Sequence, residues 1–397
     1  MHIGLDVTAC TSADGGIGRY AEELARALLG RASAGEHIVD GLVLFTGDQH
    51  PPWLSQSLQA FGPGSALPHV RVERYVPRGH AALWANLFLG PRLARTGVQV
   101  FHSPDTLGFP FTSGRRVALV ATIHDLIPWI FPKFVTQRHR WIRCAILPFV
   151  VRRADRLIVD SQATARDLLE LFPEARDKVR VVYLGVDPRF APAPTEEVAA
   201  LRSRLGLPSG YLLYVGVLSP RKNLERLLEA YAILRRAQTH IPPLVIAGKR
   251  GWLWEPIIRK VSDLRLETHV TFCGFVPDDD LPALLTGAAA FLVPSLYEGF
   301  CLPVLEAMAC GTPVLTSNRS SLPEVGGDAA LLVDPEDPGA IAEGIRRLLD
   351  DTASRNDLAR RGLKRARAFS WEATARRTLA VYHEAADQHQ VVRLNRL

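Results

Sequence analysis

The sequence predicts an α/β protein built from two tandem domains, each with a mostly parallel sheet that helices cover on both faces. Short apolar runs typical of buried strands alternate with segments of helical periodicity along the whole chain, and this alternation favours parallel sheets. A length of 397 residues fits two to three domains. The Pro-rich stretch DPRFAPAPT at residues 187–195 breaks the alternation and predicts a linker.

The first domain is predicted over residues 1–190. Its strands are HIGLDV, VQVFH, VALVATIHD and RLIVDS, and a helix with an apolar face begins at Ile17. The second domain, residues 196–370, contains the strands YLLYVG, LVIAG, HVTFCG, AAFLVP, PVLTS and ALLVDP. Because open parallel sheets bind ligands at the carboxyl ends of their strands, we expect a cleft where the two sheets face one another. The terminal segment 371–397 predicts an Arg-rich helix.

The composition excludes several classes of protein. The uncharged run at residues 281–297 is interrupted by two prolines and a glycine, so it predicts a short helix and a buried strand rather than a membrane span. The N-terminus lacks the pattern of a secretory signal, and we therefore expect a cytoplasmic protein. Five cysteines without a CxxC pair fit reduced residues rather than disulfides or a zinc site. A net charge of +6 suits an anionic partner, but the absence of any nucleic-acid-binding motif predicts no nucleic acid among the partners.

Two glutamates, Glu298 and Glu306, bracket the start of a predicted helix. Pro303 suits the first turn of that helix, and Gly311 predicts its end. The backbone amides of residues 299–302 would then point out of a helix N-terminus, whose partial positive charge attracts phosphate. With a carboxylate on either side to bind hydroxyls, this layout fits a sugar nucleotide. The alternative is that Glu298 caps the helix and Glu306 is a solvated acid.

The run YEGFCLPVLEAMACGTPVLTSN, residues 297–318, resembles the signature of the retaining nucleotide-sugar glycosyltransferases of family 4. The resemblance implies the GT-B fold, in which an acceptor-side and a nucleotide-sugar-binding Rossmann-like domain flank a cleft and a terminal helix crosses back to the first domain. Members of the family usually have glycine where this chain has Cys301. A cysteine at this position would be strained if the backbone had a positive φ.

Roles for this segment follow from the expected donor. We expect Glu298 to contact the donor sugar and Glu306 the ribose of the nucleotide. The other donor-binding residues predicted in this segment are Gly299, Phe300, Cys301 and Leu302. Glutamine at position 298 or 306 is expected to leave the melting temperature near that of the wild type, because no buried ion pair is predicted there.

A second motif, VGVLSPRKNLERLLEAY, reads as a strand, a turn and a helix, with Arg221 and Lys222 just before the helix start. Two cations at that place would converge on one anion, although an isolated Arg-Lys pair is usually solvated. The pair is similar to the family pattern, which implies that Lys222 binds the donor diphosphate and stabilises the leaving nucleotide. Many members carry a further arginine where this chain has Val217, and we assign part of that role to Arg221.

The first domain contributes a glycine-rich loop and a histidine. Gly15 and Gly16 follow the first strand, and their position resembles the family's loop near the donor phosphates, with Arg19 on the acceptor side. His124 ends an apolar strand, where the resemblance implies a catalytic histidine near the transferred sugar. We expect Asp125 to orient His124 or an acceptor hydroxyl. Other histidines are treated as structural.

Three consecutive aspartates, Asp278 to Asp280, invite a metal assignment. They lie between a strand and a helix, however, so capping of that helix is the simpler interpretation. The family resemblance implies no obligatory metal, and we expect no cofactor. The resemblance also places Phe275 near the nucleotide base.

Residues 129–156 mix aromatic side chains with arginines. This composition suits contact with an anionic membrane that carries a lipid-linked acceptor. A helix with a core-facing stripe and a solvated basic face explains it equally well.

The sequence therefore predicts a retaining hexosyltransferase that moves a sugar from a nucleotide diphosphate donor to an acceptor hydroxyl in polysaccharide, lipopolysaccharide or glycolipid assembly. Within the family, HDLIP and SPRKN resemble bacterial mannosyltransferases, which makes GDP-mannose the expected donor. The alternatives are a nucleotide-sugar epimerase of GT-B-like fold and a non-catalytic scaffold.

Overall fold

The computed structural model describes residues 1–11, 16–33, 40–47, 51–60, 70–74, 81–111, 117–238 and 240–394. The chain divides into two compact units. Unit 1 consists of Met1–Trp129, Gln137–Leu184 and Trp371–Leu397, and unit 2 of Ile130–Thr136 and Gly185–Ser370. Each unit contains its own parallel sheet flanked by helices, so the predicted fold class is confirmed.

In the described part of unit 1, seven parallel strands form one sheet in the order β3-β2-β1-β4-β5-β6-β7. The strands are β1 (His2–Asp6), β2 (Gly41–Thr46), β3 (Val70–Arg74), β4 (Val100–Ser103), β5 (Ala118–Ile123), β6 (Arg156–Val159) and β7 (Val179–Val181). All residues of β2, β4 and β5 are buried, as expected for apolar strands covered on both faces. The strand order reverses between β1 and β4, which creates a topological switch point at their carboxyl ends.

The helices of this unit include a terminal one that returns to it. They are α1 (Gly16–Ser33), α2 (Pro52–Ala60), α3 (Ala81–Thr96), α4 (Ile127–Ile130), α5 (Gln137–Arg153), α6 (Gln162–Leu171) and the terminal helix α15 (Trp371–Leu394). The last residue of α4 already belongs to unit 2, and the terminal helix follows unit 2 in sequence. The terminal helix packs on α1, β5 and β6, and its Glu384 pairs with Arg156 and Arg180. The predicted return of a terminal helix to the first domain is confirmed.

Unit 2 has, among its described residues, six parallel strands in the order β10-β9-β8-β11-β12-β13. They are β8 (Tyr211–Val215), β9 (Leu244–Ala247), β10 (Val270–Gly274), β11 (Ala288–Val293), β12 (Val314–Ser317) and β13 (Ala330–Val333). The helices are α7 (Thr195–Leu205), α8 (Leu224–Ala237), α9 (Glu255–Asp263), α10 (Leu281–Thr286), α11 (Leu302–Ala309), α12 (Leu322–Gly326), α13 (Pro338–Asp350) and α14 (Thr352–Ala366). The switch point of this sheet lies between β8 and β11.

Glycines lie at the carboxyl ends of three neighbouring strands of unit 2: Gly216 after β8, Gly248 after β9 and Gly274 as the last residue of β10. Gly216 after β8 and Gly248 after β9 have φ values of 155° and 143°, and a Cβ on Gly248 would lie 1.9 Å from the carbonyl oxygen of Gly216. Only glycine permits such a close approach of two backbones. The carboxyl edge of the sheet is therefore held tightly where β8 leads into the SPRKN turn.

Candidate active site

The two strands that flank the switch point of unit 2 lead into the two predicted motifs. β8 is followed by the turn that carries Arg221 and Lys222, and β11 is followed by the loop that carries Glu298. Because both loops leave the same edge of the sheet at neighbouring strands, residues far apart in sequence come together there. This is the place where open parallel sheets bind their ligands.

Asn223 joins the two loops. Pro220–Lys222 form a 3₁₀ turn, and Asn223 then adopts a left-handed conformation (φ 61°) before α8 begins. Its side-chain amide donates to the carbonyl oxygens of Pro294 at 3.0 Å and Pro335 at 2.6 Å. Asparagine tolerates the left-handed region better than most residues, so the sequence signal for this turn was present in SPRKN. The bond to Pro294 fixes the Arg221-Lys222 turn against the loop after β11.

Glu298 forms a buried ion cluster with the two predicted cations. One carboxylate oxygen lies 2.5 Å from Lys222 Nζ, and the other lies 2.5 Å from an Arg221 guanidinium nitrogen. Burial alone would raise the pKa of Glu298, but the charges of Arg221 and Lys222 outweigh it and lower that pKa to about 2. Glu298 is therefore ionised at neutral pH and orients both cations.

This cluster corrects two expectations. Glu298 is no helix cap, because its carboxylate binds cations and α11 starts at Leu302 behind Cys301. The premise that position 298 has no buried ion pair is wrong, since the Glu298 side chain pairs with Lys222 and Arg221, and we now expect glutamine there to lower stability.

Two serines that the sequence analysis did not single out hold the Glu298 loop. The Glu298 backbone N–H donates to the Ser320 hydroxyl at 2.8 Å, and that hydroxyl in turn donates to the Glu298 carbonyl at 2.6 Å. The Ser321 hydroxyl donates to the carbonyls of Glu298 and Phe300. These residues follow β12, and nothing local in the sequence indicates which loop they contact.

The predicted helix after Glu298 is α11, with Pro303 in its first turn and Gly311 (φ 75°) just beyond its end. Glu306 is buried within it, which excludes the alternative of a solvated first-turn acid. Cys301 precedes the helix with φ 80° and ψ 68°, the left-handed region where glycine would be unstrained. The predicted roles of residues 299–302 and of Glu306 in binding a donor stay predictions.

Phe275 lies beyond the end of β10, directly after Gly274 (φ 69°). Its side chain is 54% exposed, and Lys249 Nζ sits 4.3 Å from the centre of the ring. An exposed aromatic face beside a cation is suited to stacking on a nucleotide base, and that role stays a prediction.

In unit 1, His124 follows β5 and binds two acceptors. Its Nδ1 lies 2.6 Å from Asp160 Oδ2, and its Nε2 lies 2.9 Å from the Pro104 carbonyl oxygen. Asp125, which we expected to orient this ring, is instead exposed and accepts a hydrogen bond from the Ile127 backbone N–H. Asp160, which follows β6, performs that task. The predicted contact of Asp125 with an acceptor hydroxyl stays a prediction.

The glycine-rich loop is described in part. Gly15 lies outside the described residues, whereas Gly16 is the first residue of α1 and Arg19 lies half-buried in its first turn. Their predicted contacts with donor and acceptor remain untested.

The three aspartates form a short 3₁₀ turn before α10, and Asp280, the residue at the start of that helix, does not cap it. Asp280 makes no side-chain hydrogen bond to the helix start and pairs with Arg204 at 2.6 Å, while Asp279 lies 3.6 Å from Arg189. At Asp280 the predicted capping bond is therefore replaced by an ion pair with Arg204. Within the described residues, no group of three or more His, Cys, Asp or Glu side chains is arranged to hold a metal ion.

Helix α5 exposes the first half of the basic and aromatic segment. Residues 137–142, QRHRWI, are all exposed, and Trp141 is 74% exposed. The second half turns Leu147, Val150 and Val151 into the core of unit 1. Neither α5 nor any other helix in the described ranges is long and apolar enough to cross a membrane.

Comparison with known proteins identifies this arrangement. The model of Glycosyltransferase Family 4 matches residues 14–190, and that of Glycosyl transferases group 1 matches residues 201–365. The O-antigen chain mannosyltransferase B of Escherichia coli is 34% identical over 92% of this chain and 95% of its own length. The MMP alpha-(1->4)-mannosyltransferase of Mycolicibacterium hassiacum is 32% identical over 76% of this chain and 69% of its own. The solved sucrose-phosphate synthase of Thermosynechococcus elongatus superposes with a TM-score of 0.74 at 27% identity, covering 97% and 98% of the two chains.

Two parallel-sheet units with cations gathered at a switch point define a glycosyltransferase of the GT-B fold. The chain belongs to the family 4 glycosyltransferases and is similar to their bacterial mannosyltransferases. This membership decides against the alternatives of an epimerase and a non-catalytic scaffold.

Proposed function

We propose that this glycosyltransferase moves mannose from GDP-mannose to an acceptor hydroxyl, with retention of the anomeric configuration, in the assembly of a surface saccharide or glycolipid. Two similar chains that match it over most of their length are named mannosyltransferases, which supports the sugar. The choice of GDP follows from that sugar and from the resemblance of the HDLIP and SPRKN segments to bacterial mannosyltransferases.

The observation that carries the proposal is the cluster of Arg221, Lys222 and Glu298. Two cations and one carboxylate leave one net positive charge in a largely buried cluster at the carboxyl edge of the sheet. As the bond from C1 of the sugar to the diphosphate breaks, the electron pair stays on the phosphate oxygen, whose negative charge grows. A preorganised cation with low solvent exposure stabilises such charge far better than an exposed one does.

The state of Glu298 bears on the route by which retention would be achieved. Both of its oxygens bind cations, and its pKa of about 2 makes it a poor nucleophile and a poor base. A covalent sugar intermediate on this carboxylate is therefore disfavoured. In the proposed step the acceptor oxygen attacks C1 from the face that the diphosphate leaves, and the acceptor proton passes to the departing phosphate oxygen.

A donor screen tests the proposal. Purified enzyme is incubated with GDP-mannose, UDP-glucose, UDP-galactose or GDP-fucose, with and without lipid extract as acceptor, and release of nucleoside diphosphate is measured. We expect GDP release only with GDP-mannose and acceptor, and an α-linked product by the anomeric coupling in its NMR spectrum. Release from another donor would overturn the assigned sugar, and a β-linked product would overturn retention.

We further propose that no divalent metal is required. Arg221 and Lys222 supply the positive charge that a metal would otherwise bring to the diphosphate, and Asp279 and Asp280 are engaged with arginines. Activity is expected to persist after treatment with EDTA and gel filtration. Loss of turnover that Mg²⁺ or Mn²⁺ restores would place a metal in the reaction.

The exposed start of α5 is proposed to contact an anionic membrane surface on the cytoplasmic side, where a lipid-linked acceptor would be presented. Trp141 and Ile142 are exposed between basic side chains that include Arg138 and Arg140, a composition suited to the lipid headgroup region.

The test is sedimentation with vesicles of phosphatidylglycerol or of phosphatidylcholine. The double variant Arg138→Glu/Arg140→Glu is expected to bind anionic vesicles about 10-fold or more weakly. The matched control Arg152→Glu/Arg153→Glu reverses two exposed charges at the other end of the same helix and is expected to change binding less. Equal losses of vesicle binding in the two double variants would show that binding depends on unspecific charge attraction and not on the start of α5.

A further inference from the structure

Two histidines, the buried His102 and the half-buried His124, lie at the carboxyl ends of neighbouring strands in unit 1 and have opposite surroundings. His102, in β4, has hydroxyls on both sides of its ring: Tyr382 at 2.7 Å from Nδ1 and Thr122 at 2.8 Å from Nε2. A hydroxyl can donate or accept, so a neutral ring with one N–H satisfies both contacts. Burial lowers the pKa of His102 to about 3, in agreement with a neutral imidazole.

His124 has no such freedom. The Asp160 carboxylate and the Pro104 carbonyl are both acceptors, and each lies within hydrogen-bond distance of a different ring nitrogen. Two acceptors require two N–H donors, and only the imidazolium form has them. Burial opposes a charged ring, but the neighbouring Asp160 charge raises the pKa of His124 above its ordinary value.

Asp160 depends on this partner in turn. It is 3% exposed, and its Oδ1 is buried without a hydrogen bond, so His124 supplies the compensation for its charge within the described part of the unit. Burial raises the pKa of Asp160, and the positive charge of His124 opposes that rise. An unpaired buried carboxylate would be strongly unfavourable.

The other groups that face His124 support a positive ring. Asp105, after β4, and Asp125, beside His124 itself, both add negative charge in its surroundings, and Asp105 is in turn paired with Arg143 of α5 at 3.1 Å. Tyr20 of α1 packs edge-on at 4.8 Å between ring centres, and its hydroxyl is directed to Thr122. His102, a further titratable neighbour among the described residues, is neutral.

We infer that Asp160 is a positioning residue that holds His124 as a doubly protonated imidazolium whose two ring N–H groups are both bonded to the protein. His124 then takes no proton from the acceptor and gives none to the leaving group. It forms a fixed and overall neutral ion pair with Asp160 at the edge of the sheet where the resemblance places the transferred sugar. Only the statement that this ion pair lies near the transferred sugar rests on the proposed function.

The first arm of the test is independent of any donor. His124 is followed by NMR in protein labelled at the histidine rings, and its resonance among the 12 histidines is assigned from the spectrum of His124→Gln. We expect both ring nitrogens of His124 to remain protonated at pH 7.5, whereas His102 keeps one proton on its ring down to low pH. A His124 ring that loses its proton near pH 6.5 would overturn the inference.

The second arm uses Asp160→Asn. Removal of the neighbouring charge is expected to lower the pKa of His124 by roughly 1 to 3 pH units, into or below the neutral range. Between pH 6 and pH 8, the factor by which turnover of this variant falls should then be at least about 10 times the factor for the wild type. A merely structural role predicts a loss that is the same at both pH values, and that result would contradict the inference. Should Asp160→Asn fail to fold, the titration of the wild-type ring decides alone.

Discussion

Both units place a buried carboxylate and its cationic partners at the carboxyl edge of a parallel sheet, but the charge balance differs. In unit 2, Glu298 is shared by Arg221 and Lys222, which leaves one positive charge in excess. In unit 1, Asp160 pairs with His124 alone among the described residues, and in the inferred protonation state that pair is neutral. An excess of positive charge suits a diphosphate, whereas a neutral pair suits an uncharged sugar. By charge alone, the two edges therefore suit different parts of a nucleotide sugar.

The largest expected effect comes from removing the excess charge in unit 2. Lys222→Ala should lower kcat by about 10²–10³, the usual loss for one electrostatic donor to a transition state. The change should fall mainly on kcat because the phosphate charge grows as the bond breaks. Steady-state kinetics with the donor found in the screen measure it.

Lys260→Ala serves as the control for this variant. Lys260 lies in the same unit, and its ion pair with Glu229 is partly exposed to solvent. Its removal should leave kcat within about twofold of the wild type, as expected for a surface ion pair. If Lys222→Ala also stayed within threefold, Lys222 would have no role in stabilising the leaving group.

The next effect is on stability. Glu298→Gln leaves the buried Lys222 and the half-buried Arg221 without their carboxylate, and breaking a buried pair costs roughly 3–5 kcal/mol of unfolding free energy. The same variant should lower kcat, since the cations lose their anchor. Urea unfolding of the variant and the wild type at pH 7 provides the comparison, and unchanged stability would show that Arg221 and Lys222 find other partners.

Acid titration separates this charge from the shape of the side chain. The folded-state pKa of Glu298, about 2, lies below the ordinary value of 4.5. Its contribution is therefore fully present above pH 4.5 and is lost as the pH falls toward 2. Between pH 5 and pH 3, the free energy of unfolding should fall more in the wild type than in the Glu298→Gln variant. Parallel losses in urea titrations at the two pH values would contradict the assigned pKa.

A smaller effect is expected at the second glutamate. Glu306→Gln should raise KM for the donor by about 10-fold while kcat is retained, because a ribose contact is made equally in the ground and transition states. Kinetics with varied donor concentration measure the two constants separately. A fall in kcat with unchanged KM would move Glu306 from the nucleotide to the reacting bond.

The sequence predicted what depends on local signals. Pro303 and Gly311 marked both ends of α11, and the apolar runs marked most strands, although β2, β3 and the three-residue β7 were missed. The partners of the charged residues were not predictable, since Lys222 and Glu298 are 76 positions apart and His124 and Asp160 are 36 apart. The members of each pair meet because the strands that precede them are neighbours in a sheet.

The His124 pair shows how such a partner arises. In the register of β5 and β6, Ile123 pairs with Val159, and His124 and Asp160 are the next residues of the two strands. A histidine that ends one parallel strand thus meets the aspartate that ends its neighbour. The register is a tertiary property, so the sequence pointed to the adjacent Asp125 instead.

The smallest effect tests the backbone strain at Cys301. Cys301→Gly and Cys310→Gly each remove a buried thiol and each add the same freedom to the unfolded chain. Only Cys301 has a positive φ, 80°, whereas Cys310 has φ −82°. Because the left-handed region costs roughly 1–2 kcal/mol for a residue with a side chain and nothing for glycine, Cys301→Gly should be more stable than Cys310→Gly by about that amount. Urea unfolding of the two variants measures the difference directly. Equal stabilities would show that the thiol of Cys301 makes packing contacts that offset the strain.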